Sequence, residues 1–160
     1  MYMDECVSDG TKIVEIAMQA LESDDPQKAT DYFTEDFKWF GTFPHPLDKQ
    51  RFFQMIMTIK KAFPDYTFNV KRCEEFQNGV CRATMEPLAT HLGVLALPGL
   101  SPIQPTGISV ALERHVMQFT LVAGKISKIK IEQPSGGGIR GLLQALGIEI
   151  TEEMIDRMFK

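Results

Sequence analysis

The hydrophobic period of this 160-residue chain switches from helical to strand-like near residue 66, which restricts the architectures open to it. Before the switch, Ile13, Ile16, Ala17, Ala20 and Leu21 recur at helical spacing. They predict a helix over residues 8–22 with Lys12, Glu15, Gln19 and Glu22 on its polar face. Asp25 and Pro26 supply an N-cap and a first helical residue for a second short helix, with Ala29, Tyr32 and Phe33 inward. Phe37, Lys38, Trp39 and Phe40 read as a short aromatic strand, followed by a loop containing Pro44 and Pro46. Asp48 caps a third helix whose stripe is Phe52, Ile56, Ile59 and Phe63. Phe53 and Met57 widen its buried face, and Pro64 stops it.

After the switch, Tyr66, Phe68 and Val70 alternate with Thr67, Asn69 and Lys71, and Asn78-Gly79 predicts a hairpin to a strand over residues 80–85. Pro87 marks a bulge or an edge before the chain runs on to His91. Residues 93–107 form a loop long enough to carry function. A long strand over 108–122 turns at Ala123-Gly124 into a last strand over 125–133. Ser135-Gly136-Gly137-Gly138 connects to a helix over 139–146 that Gly147 ends, and Thr151 caps a final short helix. Helices and strands segregated in this way indicate α+β rather than parallel βαβ units. We expect one domain, residues 1–160, with helices closing a curved antiparallel sheet around one small-molecule pocket.

Several function classes are excluded on simple grounds. A net charge of −4, with only short basic clusters at Lys60-Lys61 and at Lys125, Lys128 and Lys130, leaves no electrostatic footprint for nucleic acid. No apolar run approaches the ~20 residues of a membrane span, and the acidic start is unlike a signal peptide, so a cytoplasmic location is expected. Three cysteines, Cys6, Cys73 and Cys81, lack metal or redox spacing and read as free thiols.

Four segments together resemble the SnoaL-like polyketide cyclases of the nuclear transport factor 2-like superfamily. They are Ala62-Phe63-Pro64-Asp65, Thr90-His91-Leu92-Gly93, Pro105-Thr106-Gly107, and Gly124-Lys125-Ile126 with the run from Leu142 to Gly147. The match spans about residues 13–147. The resemblance implies a cone-shaped curved antiparallel sheet wrapped by N-terminal helices (a cystatin-like roll), a mostly apolar pocket, and a homodimer packed through the sheet. It also places His91 near the pocket mouth, as a hydrogen-bond donor or base, or as a loop anchor bonded to backbone. The cyclases use an aspartate on or just past the last strand. This chain has none there.

The residues carry their own indications. Glu113, His115, Met117, Phe119 and Leu121 share strand parity, so without a bulge they form one pocket wall. Glu113 would then orient His115 as the acid/base pair. A bulge near Glu113 would exchange the faces, since Val110, Leu112 and Val116 form the opposite apolar set. Glu132 shares parity with Lys128 and Lys130 and is expected outside, which turns Gln133 inward. Trp39 is read as core or as a clamp on a flat ligand, and His45 lies in the loop near the pocket entrance. The nine methionines suit an adaptable apolar interior.

Two functions fit. The first is a cofactor-independent cyclase, isomerase or hydrolase acting on a small apolar carbonyl compound, with His115 as base and His91 or Gln133 polarising the carbonyl. The second is a ligand-binding or dimerisation module, motivated by the missing aspartate. No metal or cofactor is called for by either.

Overall fold

In the computed structural model, which describes residues 9–41, 45–77, 79–97, 99–132, 138–149, 151, 153, 154 and 157, the first stripe folds as α1 (Asp9–Glu22). Its buried side chains are Thr11, Val14, Ala17, Met18 and Leu21. The face is thus rotated from the expected one, leaving Ile16 47% exposed. The reason is tertiary: α1 lies against two strands of the sheet and turns Met18 and Leu21 into the interior. A 3-10 helix, Pro26–Tyr32, follows, with the Asp25 carboxylate accepting from the Gln27 N–H.

Strand β1 (Phe33–Phe40) starts four residues before the expected aromatic segment and buries Phe33, Phe37 and Trp39. After β2 (Leu47–Asp48), the Asp48 carboxylate accepts from the Arg51 N–H at 2.9 Å and starts α2 (Lys49–Ala62). Phe52, Phe53, Ile56 and Ile59 are buried as their spacing predicts, whereas Met57 is 39% exposed and does not widen the buried face. Phe33, Phe37, Phe52 and Phe53 interlock, with ring centroids 4.9 to 5.8 Å apart.

Six strands follow: β3 (Val70–Gln77), β4 (Val80–Met85), β5 (Leu88–Thr90), β6 (Ser109–Ala111), β7 (His115–Val122) and β8 (Lys125–Glu132). The main sheet has the order β2-β1-β8-β7-β4-β3, antiparallel except that β1 runs parallel to β8, with Trp39 opposite Ile129. Register shifts interrupt three of its pairings, and such irregularities bend and coil a sheet. β5 and β6 form a separate ribbon.

That ribbon corrects the single long strand expected over 108–122. The chain leaves the ladder at residues 112–114. Leu112 and His115 are both buried although three residues apart, so the break exchanges the strand's faces between them. Loop 93–107 is tied down by reciprocal 2.9 Å bonds between Leu95 and Ile103, and by the Leu92 and Gly93 N–H groups, which both donate to the Ala62 carbonyl. Helix α3 (Gly138–Ala145) ends at Gly147, whose φ of +81° is a left-handed value that glycine adopts without steric cost. Cys6, Asn78, Gln133 and the connector residues 135–137 lie outside the described residues.

Candidate functional site

The concave side of the sheet and the two long helices enclose an apolar cavity. Met18 and Leu21 come from α1, Phe52, Met55, Ile56 and Ile59 from α2, and Trp39 from β1. His115, Met117 and Phe119 come from β7, Ile129 and Ile131 from β8, and Tyr66 and Phe68 from the segment after α2. These strand residues share one face because their parity is inward: Met117 lies opposite Ile131, and Phe119 opposite Ile129. The space open to the centre of a water molecule is about 30 Å³, room for about two waters. Met18, Met55 and Met117 make the wall adaptable, since a thioether side chain repacks at little cost.

His115 is the titratable side chain deepest in this wall, at 5% exposure. Its Nδ1 lies 2.9 Å from the backbone carbonyl of Glu113. A carbonyl only accepts, so Nδ1 carries the proton and Nε2 keeps its lone pair. The expected pairing through the Glu113 carboxylate is replaced by this backbone contact, because the break at 112–114 turns the Glu113 side chain to solvent. Tautomer control survives without the charge.

The other anticipated residues divide. Trp39, Met117 and Phe119 line the cavity, and Trp39 serves the core as well, at 2% exposure. His45 is exposed and is not among the lining residues. His91 is fully buried but elsewhere, stacked 5.2 Å from the Phe63 ring. Its Nδ1 accepts from the Thr106 N–H at 3.2 Å and lies 2.9 Å from the Thr106 hydroxyl, so it ties the long loop to the ribbon. Nε2 of His91 then holds the proton and has no partner among the described residues. Glu132 stands on the outer face, where Arg82 grips it with two bonds of 3.0 and 3.1 Å.

Tyr66 is the site residue that pattern reading passed over. It was legible only as one member of an alternating apolar run, and alternation does not tell a hydroxyl on the inner face from a phenyl ring. Burial, and secondarily the nearby Glu22 carboxylate, push its phenol well above the ordinary range, so it stays protonated as a donor.

The two described thiols are poor nucleophiles. Burial, with smaller contributions from Glu15, Cys81 and Glu74, pushes Cys73 up to about 12, and burial with Glu75 also raises Cys81. Among the described residues no three His, Cys, Asp or Glu side chains converge as a metal site would require. A wider groove of about 1100 Å³ runs outside between the 3-10 helix and α2. It contains no histidine among its described lining, and its Lys49 is committed to the Phe33 carbonyl and Glu35.

Comparison with solved structures decides the fold. AclR of Streptomyces galilaeus, a candidate hydroxylase, superposes with a TM-score of 0.66 at 20% identity, over 87% of this chain and 96% of its own. A candidate SnoaL-like polyketide cyclase from Jannaschia sp. CCS1 gives 0.65 at 14% identity, over 79% and 86%. The chain has the SnoaL-like, nuclear transport factor 2-like fold. IdmH, a candidate polyketide cyclase of Streptomyces antibioticus, shares it at 0.65 and 16% identity, over 88% of this chain and all of its own. No protein-family model and no curated protein matches the sequence. SnoaL-like folds carry many activities, so function has to be argued from the cavity.

Proposed function

We propose that this protein binds a small, largely apolar carbonyl compound inside the curved sheet and that His115 removes a proton next to the carbonyl. The reading rests on one observation: a buried imidazole in a wall that, Tyr66 apart, is apolar, with Nδ1 committed to the Glu113 carbonyl and Nε2 left as the base. The C–H electron pair becomes the enolate double bond, the proton passes to Nε2, and it is returned to carbon in the reverse or isomerising step. Proton transfer of this kind requires no cofactor.

Cyclopentanone, with six non-hydrogen atoms, is larger than the two waters that the empty cavity admits, so its entry requires Met18, Met55 and Met117 to repack. Incubated with protein in D2O, it is expected to exchange its α-protons faster than in buffer. His115→Gln is expected to cut that exchange ~10²-fold or more while binding persists. Trp39, the only tryptophan of the chain, lies in the wall, so its emission follows binding directly. Binding without exchange would instead support a non-catalytic binding module. That reading is favoured by the outward Glu132, which leaves no last-strand carboxylate in the described cavity wall.

We further propose a homodimer packed through the outer sheet face, where Val116, Gln118 and Thr120 of β7 are only half-buried in the single chain. A monomeric mass by sedimentation excludes it.

A further inference from the structure

The seam between α1 and β3 holds a groove that shares Met18 with the interior cavity, and we infer that the ligand extends past Met18 into this groove with a neutral, hydrogen-bonding arm. This rests on the cavity reading above and widens the ligand from a compact ketone to one that carries a polar arm.

The groove, of about 350 Å³, follows the line where α1 crosses β3, the last strand of the main sheet. Glu15, Met18, Gln19 and Glu22 form its helical side, at the spacing of one helix face. Met18 lines the groove and the cavity alike and is 2% exposed, so its side chain stands between the two spaces. An unbranched thioether swings aside more readily than a branched or aromatic side chain. The backbone opposite is irregular at the same place. Asn69 takes a left-handed φ of +48° just before β3, and its side-chain amide donates to the Glu86 carbonyl at 3.0 Å. The pairing of β3 with β4 then slips between Val70 and Arg72, which makes Lys71 the extra residue of a bulge and bends the edge strand beside the groove.

The groove's chemistry selects the arm. Glu15 and Glu22 line it from α1, Lys71 and Arg72 from β3, so the charges balance. Two of the four are engaged, since Glu22 accepts from the Thr67 hydroxyl at 2.7 Å and Arg72 donates to Glu74 at 2.9 Å. A charged arm would meet a repelling group for every attracting one, whereas a hydroxyl or amide can both donate and accept. Gln19 adds an exposed amide that makes no hydrogen bond among the described residues.

Cyclopentanone, 2-butylcyclopentanone and 2-(3-hydroxypropyl)cyclopentanone test this, with Kd read from Trp39 emission. The two armed ketones have equal numbers of non-hydrogen atoms and differ in one hydroxyl. The hydroxypropyl ketone is expected to bind at least ~3-fold tighter than the butyl ketone, the yield of one hydrogen bond, and ~10-fold tighter than cyclopentanone, from partial burial of the arm. Within an apolar interior the order of the armed ketones reverses, because a hydroxyl buried without a partner is disfavoured. A tighter butyl ketone therefore overturns the inference, and a carboxyethyl arm that binds tighter than the hydroxypropyl one overturns its neutral character. Met18→Phe sets a ring in the passage and is expected to bring both armed ketones down to the affinity of cyclopentanone or below. Gln19→Phe, at an exposed position that tolerates the change, fills the groove from outside and is expected to abolish the hydroxypropyl preference. If Met18→Phe does not fold, Gln19→Phe decides, and a preference it leaves unchanged overturns the inference. Cyclopentanone that exchanges through His115 while neither arm adds affinity overturns this inference alone. Wild-type protein that binds none of these ketones overturns the cavity reading as well.

Discussion

Phe33→Ala is expected to destabilise the protein by about 3–5 kcal/mol, the usual cost of emptying a fully packed aromatic position. Phe33 is 1% exposed at the start of β1 and touches Phe37, Phe52 and Phe53 at centroid distances of 4.9, 5.8 and 5.3 Å. Two of those rings belong to α2, so the side chain joins the helix to β1, the strand that pairs in parallel with β8. Edge-to-face and tilted contacts add to the area buried, by about 0.5–1.5 kcal/mol per pair. For a chain of this length the loss corresponds to a fall in thermal midpoint of roughly 6–20 °C. Urea denaturation checks it: a midpoint within error of wild type would show that the cluster does not hold α2 on the sheet. Phe33→Leu should recover much of the loss, because volume is the main term.

Gly93→Ala comes next, at about 2–4 kcal/mol, from overpacking and one or two displaced hydrogen bonds. A Cβ on Gly93 would lie 2.2 Å from the Lys61 carbonyl oxygen and 3.3 Å from its carbon. These are backbone atoms at the end of α2, and they cannot rotate away. The Leu92 and Gly93 N–H groups sit there on the Ala62 carbonyl, 3.0 Å each, so relieving the clash pulls the loop off the helix. Gly107→Ala is the matched control. Gly107 has no neighbour within 4 Å of a Cβ but a φ of +74°, so it should cost only the left-handed strain of about 1–2 kcal/mol. A loss at Gly93 no larger than at Gly107 would show that the loop yields to the added methyl group instead of clashing with the Lys61 carbonyl.

Much of the architecture was legible because local signals agreed with one another. The Asp48 cap, the stripe Phe52, Ile56 and Ile59, the hairpin partner β4, the last strand and the Gly147 stop stand where spacing and turn chemistry put them. Met117 and Phe119 face the cavity for the same reason, since two-residue parity holds within an unbroken ladder. Met57 and Ile16 defeated the same reasoning. A helical stripe is wide enough to admit either edge, and the packing partner chooses which edge is covered.

The amino-acid sequence by itself determined the fold class, the order of the main helices and strands, and part of the apolar set that closes the cavity, namely Leu21, the α2 stripe and the inward residues of the last two strands. These follow from periodicity and capping, which act over a few residues. Only the tertiary structure decided which polar groups meet. The break at residues 112–114 sends the Glu113 carboxylate outward and supplies its carbonyl to His115 instead. β8 running beside β1 brings Trp39 to Ile129, and Arg82 holds Glu132 on the outer face. Tyr66 joins His115 in one wall across 49 residues of chain, a proximity that no local pattern encodes. Parity carries no information across a break in the ladder, and spacing carries none between distant elements. The cavity was therefore readable in outline, while its chemistry depended on contacts that form only once the sheet has curved.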